Sequence, residues 1–261
     1  MNRGPRLKNQ AGYYYARKKV VQLIAFNNNN DKRIGDECYI DGVDVYREYA
    51  ADLKEFYMLP GAITLDYTEN TGVSAFNVYS SALDGKGAVM VFYVCGNSEE
   101  DLQENISNLL VACRKCVIQT TASRFEYPAI LTEYSDDDTG VEYYHLVTMN
   151  FIVIKRLPLV THELTGNGSV KNLGNVESGM RMEITPTTAT SSFKINGITV
   201  KNLKAKETFI IDGIEGKVTA GGINRFLDTD IIDFPKIRPG MNEIVMSANM
   251  PVKVSFYPVF M

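Results

Sequence analysis

The sequence has no tryptophan, two histidines and four cysteines in 261 residues, and each scarcity removes a class of chemistry. Without tryptophan there is no indole face, the commonest flat platform for a sugar ring. A glycan-binding reading would have to rest on tyrosine, with Tyr144 and Tyr257 as the candidates. His145 and His162 have no partner cluster that would make either a metal ligand or a catalytic base. Cys38, Cys95, Cys113 and Cys116 are too few, and too gathered in the first half, for a disulfide framework, so reduced thiols are expected. Cys113 and Cys116 form a C-x-x-C pair late in a predicted helix, with no second pair to complete a metal site, and read as packing residues. No apolar run approaches the roughly 18 residues of a membrane span. The run from Val20 to Phe26 is short, broken by Gln22 and followed by four asparagines, which argues against an export signal. G-x-S-x-G, P-loop and H-E-x-x-H motifs are all missing. No catalytic residue, metal or cofactor is expected.

What is present is an uneven charge. The net charge is −4, but residues 1–33 hold eight Lys or Arg against one Asp, a balance of +7 that leaves −11 for the rest. Such an arm suits nucleic acid or an acidic protein neighbour. The aromatic-basic run Tyr13, Tyr14, Tyr15, Arg17, Lys18 and Lys19 favours the protein, because Tyr and Arg are enriched at interfaces and the acidic body would repel a phosphate backbone. These six residues are the predicted assembly contacts.

The pattern is mainly β. One helix stands out in "SEEDLQENISNLLVACRKC", with Ser98 as cap, three acids in the first turn and Arg114 and Lys115 at the end. Leu102, Ile106, Leu109, Leu110 and Cys113 recur at helical spacing, so the helix lays one apolar face on a sheet. "AILTEYSDDDTGVEYYHLVTMNFIVI" reads as two strands joined by a polar turn at Asp136 to Gly140, whose spacing does not match a calcium loop. The domains expected are 1–157, α+β with one packed helix and a basic arm over 1–36; a Gly-, Asn- and Ser-rich linker over 158–171; and 172–261, short alternating strands in a β-sandwich.

Two segments of the second domain need separate readings. Asp228, Asp230 and Asp233 could be sought as a carboxylate pair for glycoside cleavage, but strand alternation splits them between faces and a solvated loop is the simpler account. In "DFPKIRPGMNEI", Pro235 and Pro239 remove two donors, so a rigid loop is expected rather than a strand. Arg238-Pro239-Gly240-Met241 has the residues of a type II turn, with Gly240 at the positive φ. Phe234, Pro235, Pro239, Gly240 and Asn242 are the predicted structural turn.

Four stretches occur in an order that resembles the distal tail (Dit) proteins of long-tailed bacteriophages, siphovirus-type components of the tail and baseplate hub. They are "LGNVESGMRMEIT", "FKINGITV" with "FIIDGIEGKVTAGGINRF", "FPKIRPGMNEI" and "VKVSFYPVF", covering roughly residues 172–260. Ile237 stands where that family's Phe-Pro-x-Leu-x-Pro-Gly-x-Asn run has Leu. In the first half, "YIDGVDV" and the order of strands and helix are similar to the family's ring-forming domain in architecture only. The resemblance implies a structural protein of the virion tail, assembled in the cytoplasm of a host bacterium. Six copies would close a ring joining the tail tube protein to a tail-tip or baseplate hub protein, with DNA passing through the lumen without specific binding. It implies a galectin-like or carbohydrate-binding-module-like second domain, which makes recognition of host-surface glycans the alternative reading.

Overall fold

The computed structural model describes residues 36–60, 63–69, 76–83 and 86–261, and the predicted arm contacts Tyr13 to Lys19 lie outside them. The chain divides into two compact units, Met1–Ile154 and Lys155–Met261.

In the first unit the elements are β1 (Cys38–Ile40), β2 (Val43–Asp44), the one-turn helix α1 (Val45–Glu48), β3 (Ala51–Met58), β4 (Ile63–Glu69), β5 (Phe76–Leu83), β6 (Lys86–Cys95), α2 (Glu99–Cys113), β7 (Lys115–Thr120), β8 (Glu126–Val141) and β9 (Tyr144–Val153). Antiparallel pairing gives the order β2-β1-β7-β8-β9-β6-β3, while β4 and β5 form a separate hairpin. Alternation explains the core: Ala88, Met90, Phe92 and Val94 of β6 point with Val147, Met149, Phe151 and Val153 of β9 to one buried face. Helix α2 closes that face with Leu102, Ile106, Leu109 and Cys113, as its spacing predicts. Ser98 caps it, its hydroxyl accepting the Asp101 N–H at 3.2 Å.

Two boundaries differ from the sequence reading. Helix α2 stops at Cys113 with Arg114 as its C-cap, and Lys115 already opens β7, so no basic residue lies in the last turn. The β8–β9 turn is not at Asp136 to Gly140 but at Glu142 and Tyr143, and the three aspartates belong to strand β8. Gly140, at φ 73°, is absorbed in a register shift between Asp138 and Val141, which lets pairing continue past the acidic run. Asp136 is held there by His145, Nδ1 to Oδ1 at 2.7 Å.

In the second unit the strands are β10 (Lys155–Arg156), β11 (Val160–Leu164), β12 (Gly168–Asn172), β13 (Ser178–Ile184), β14 (Thr190–Ile195), β15 (Ile198–Leu203), β16 (Phe209–Asp212), β17 (Lys217–Ala220), β18 (Ile223–Asn224), β19 (Lys236–Ile237), β20 (Gly240–Ile244), β21 (Val252–Phe256) and β22 (Val259–Phe260). The main sheet runs β11-β21-β13-β16-β17-β18, with β19 added on β13, while β12–β20 and β14–β15 form two further ladders. Met180, Met182 and Ile184 of β13 and Val252, Val254 and Phe256 of β21 meet Val170, Phe193, Val200 and Ile244 of those ladders in one core. This is the β-rich, two-faced packing that the alternating strands require.

Where a linker is expected over 158–171, two strands stand instead. Val160–Leu164 pairs along its whole length with β21, and Gly168–Asn172 with β20. The segment has no sustained hydrophobic period because its strands expose one side: Val170 and Asn172 are buried, Ser169 and Lys171 exposed. Lys236 and Ile237, expected in a loop, pair with Gly179 and Ser178; the two prolines flank them and leave their own N–H groups intact.

Candidate assembly surfaces

The Pro-Gly turn is built around Asn242. Its Oδ1 accepts the Arg238 N–H at 3.0 Å and its Nδ2 donates to the Arg238 carbonyl at 2.7 Å and the Gly240 carbonyl at 3.0 Å. One side chain thus satisfies both backbone groups of the residue before Pro239. Gly240 sits at φ 87°, the left-handed geometry predicted for it. Pro235 is buried, and its carbonyl accepts the Met180 N–H at 2.9 Å while the Met180 carbonyl accepts the Gly213 N–H at 3.0 Å. Three backbones converge there. A Cβ on Gly213 would lie 2.2 Å from the Pro235 oxygen, and one on Gly179 2.3 Å from the Gly213 oxygen. Nothing in the sequence around Gly179 and Gly213 signals this close approach, which depends on residues about 20 to 35 positions away.

The neighbouring loop is an exposed apolar lip on a pinned backbone. Leu227 and Ile232 are 96% and 95% exposed, and Ile223 68%. The loop is nevertheless fastened to β15: the Thr199 N–H donates to Asp230 Oδ1 at 2.6 Å, and Asn202 Nδ2 donates to Asp228 Oδ1 at 2.7 Å. Arg225 bonds Asp228 through its Nε and reaches the Asn202 carbonyl at 3.3 Å. Hydrogen bonds from Arg225 and Asn202 hold the Asp228 carboxyl below its ordinary pKa, and the Thr199 N–H does the same for Asp230. Both are fixed anions serving as backbone staples. A glycosidase needs one of a carboxyl pair kept protonated, and neither of these is.

The two candidate tyrosines for a sugar are already covered. Tyr144 is 8% exposed and stacks on Tyr93 at 5.2 Å, and the Arg156 guanidinium lies 3.6 Å from the centre of the Tyr257 ring. All four cysteines are thiols, Cys113 and Cys116 are buried together with the Cys116 thiol donating to the Cys113 carbonyl, and burial pushes the Cys95 thiol up to about 12. Among the described residues no group of three His, Cys, Asp or Glu could hold a metal ion, and no helix is long and apolar enough to cross a membrane.

In the first unit the ends of the sheet are unlike. β3 is an eight-residue strand with no strand on its outer side among the described residues, whereas the other end is the two-residue β2. Two different edges are what a head-to-tail contact uses.

The family model for the siphovirus-type tail component, C-terminal domain, matches residues 173–260. Over that span the chain is similar to this family. The matched span includes all four stretches that carry the resemblance, the Asn242-stapled turn and the lip, and within it the Pro-Gly-x-Asn run has a defined structural job. No curated protein matches by sequence. Among solved structures, the chain is similar to the Dit (gp 19.1) protein of phage SPP1, described as a hub adsorption apparatus in phages infecting Gram-positive bacteria, with a TM-score of 0.69 at 17% identity, covering 87% of this chain and 100% of that one. It is also similar to chains of the phage P2 baseplate in its activated conformation, with calcium (TM-score 0.53, 11% identity, 84% of this chain and 97% of that one) and with strontium (0.53, 11%, 85% and 98%). At these identities the likeness is one of fold, and it extends across both units of the chain.

Proposed function

We propose that the chain is a structural component of a bacteriophage tail, forming a hexameric ring at the distal end of the tail tube, joining tube to baseplate or tip and leaving a lumen for DNA. The observation that carries this is the fold shared with SPP1 Dit over the whole of that protein, joined to the family match of residues 173–260. The chain's own chemistry supports it. Asp228 and Asp230 of the lip are used in holding the loop, three of the four thiols are buried and the fourth, Cys95, is partly buried, and the first unit offers two dissimilar sheet edges for a heterologous contact that closes. In this reading the second domain is galectin-like in architecture and hangs at the ring's edge. Its pinned lip, with Leu227 and Ile232 presented at low ordering cost, serves a protein partner in the tail tip. The basic arm Tyr13 to Lys19 docks on a neighbour, and assembly takes place in the host cytoplasm before the ring enters the virion.

Negative-stain electron microscopy of the purified full-length protein tests the proposal. Closed rings with six-fold averages are expected. Removing residues 1–33 is expected to lower the ring fraction, and unchanged assembly without them would remove the arm from the account.

A further inference from the structure

Beside helix α2 the first unit has a groove of about 500 Å³ whose lining includes Glu48, Tyr49, Asp101, Glu104, Val111 and Ala112, and no lysine, arginine or histidine. Part of the lining is apolar: Val111 is 65% exposed on the helix face turned away from the core, and Ala112 and the half-buried Tyr49 also line the groove. The rest is polar and anionic. Asp101 is tied to Asn97, whose N–H and Nδ2 both donate to it at 2.8 Å, while Glu48 and Glu104 are exposed. Burial, followed by the charge of Glu48 and more weakly of Cys113 and Asp41, raises the Tyr49 pKa.

We infer that the groove receives the basic arm of a second copy of the chain, with Arg17, Lys18 and Lys19 against Glu48 and Glu104, and a tyrosine of the Tyr13 to Tyr15 run against Tyr49, Val111 and Ala112. The complementarity is specific to that segment. Residues 13–19 join three consecutive tyrosines to three cations with no acid, and residues 1–33 carry +7 against −11 for the remainder. A second copy is favoured over the same copy by charge: bodies of −11 repel when packed side by side, and a +7 arm laid across the junction offsets this where it acts. Reach permits it, since the 17 residues from Lys19 to Asp36 span up to about 60 Å when extended. The inference rests on the reading that the chain assembles with its own copies, and it names the surface that the arm would use.

Zero-length carbodiimide cross-linking of a mixture of ¹⁴N- and ¹⁵N-labelled full-length protein, read by mass spectrometry, tests it. Links between Lys18 or Lys19 and Glu48 or Glu104 that join light to heavy copies are expected. In parallel, Glu48→Lys with Glu104→Lys should raise the concentration for half-assembly about tenfold. Adding Arg17→Glu, Lys18→Glu and Lys19→Glu to that variant should restore assembly. Asp101 is left intact because it holds the start of the helix. Assembly of the wild type with links elsewhere, or only within one copy, or with assembly indifferent to the reversals, overturns the groove while leaving the ring reading intact. A wild type that never assembles overturns both.

Discussion

At the scale of single residues, the second domain depends on places where a side chain would collide or a backbone group would lose its partner. Gly213→Ala is expected to destabilise by at least about 2 kcal/mol, because its Cβ would overlap two carbonyl oxygens, that of Met180 in β13 and that of Pro235 just before β19, whose backbones cannot swing aside. Urea denaturation of the full chain would show it as a lower midpoint at unchanged slope. Gly240→Val tests a different cause. Nothing lies within 4 Å of its added Cβ, so the cost, about 1–3 kcal/mol, comes from φ alone, and an unchanged melting temperature would contradict the turn. The carboxyls of Asp228 and Asp230 give a pH signature. Their folded pKa values lie below the unfolded value of about 3.9, so the stabilisation is present above that value and is lost as pH falls through the folded values. Thermal melts between pH 5 and 2 should therefore fall less steeply for Asp228→Asn with Asp230→Asn than for the wild type.

At the scale of elements, helix α2 shows how much of this fold can be read in advance. Its cap, acidic first turn and buried stripe are local patterns, and Ser98→Ala is expected to cost about 1 kcal/mol in chemical denaturation through loss of the Asp101 N–H acceptor. Alternating strands such as Ser178–Ile184 and Val252–Phe256 are legible for the same reason. The elements that were not legible take their partners from far along the chain. Val160–Leu164 carries no strong period, yet it pairs with residues more than 85 positions later. The acidic run Asp136 to Asp138 has turn composition, but β9 and the His145 contact hold it in a strand. Of the candidate surfaces, the Pro-Gly-x-Asn turn was legible because proline and glycine act locally. The exposure of Leu227 and Ile232 was not, since aliphatic residues in a loop look the same whether they fold inward or, as here, are held outward by staples from β15.

At the scale of the whole molecule, a family match over residues 173–260 and a fold shared across both units stand beside a charge division between arm and body. The order β2-β1-β7-β8-β9-β6-β3 leaves a long and a short edge, a geometry that favours joining one copy to the next in the same sense around a closed path. Because the arm and body differ in sign, the association is expected to weaken as salt is raised from 0.05 to 0.5 M, the range over which the Debye length falls from roughly 14 to 4 Å. The most direct test of the central claim is the native mass of the purified full-length protein at micromolar concentration and low salt. A dominant species of six chains is expected, and a monomer that persists as concentration rises would rule out the ring.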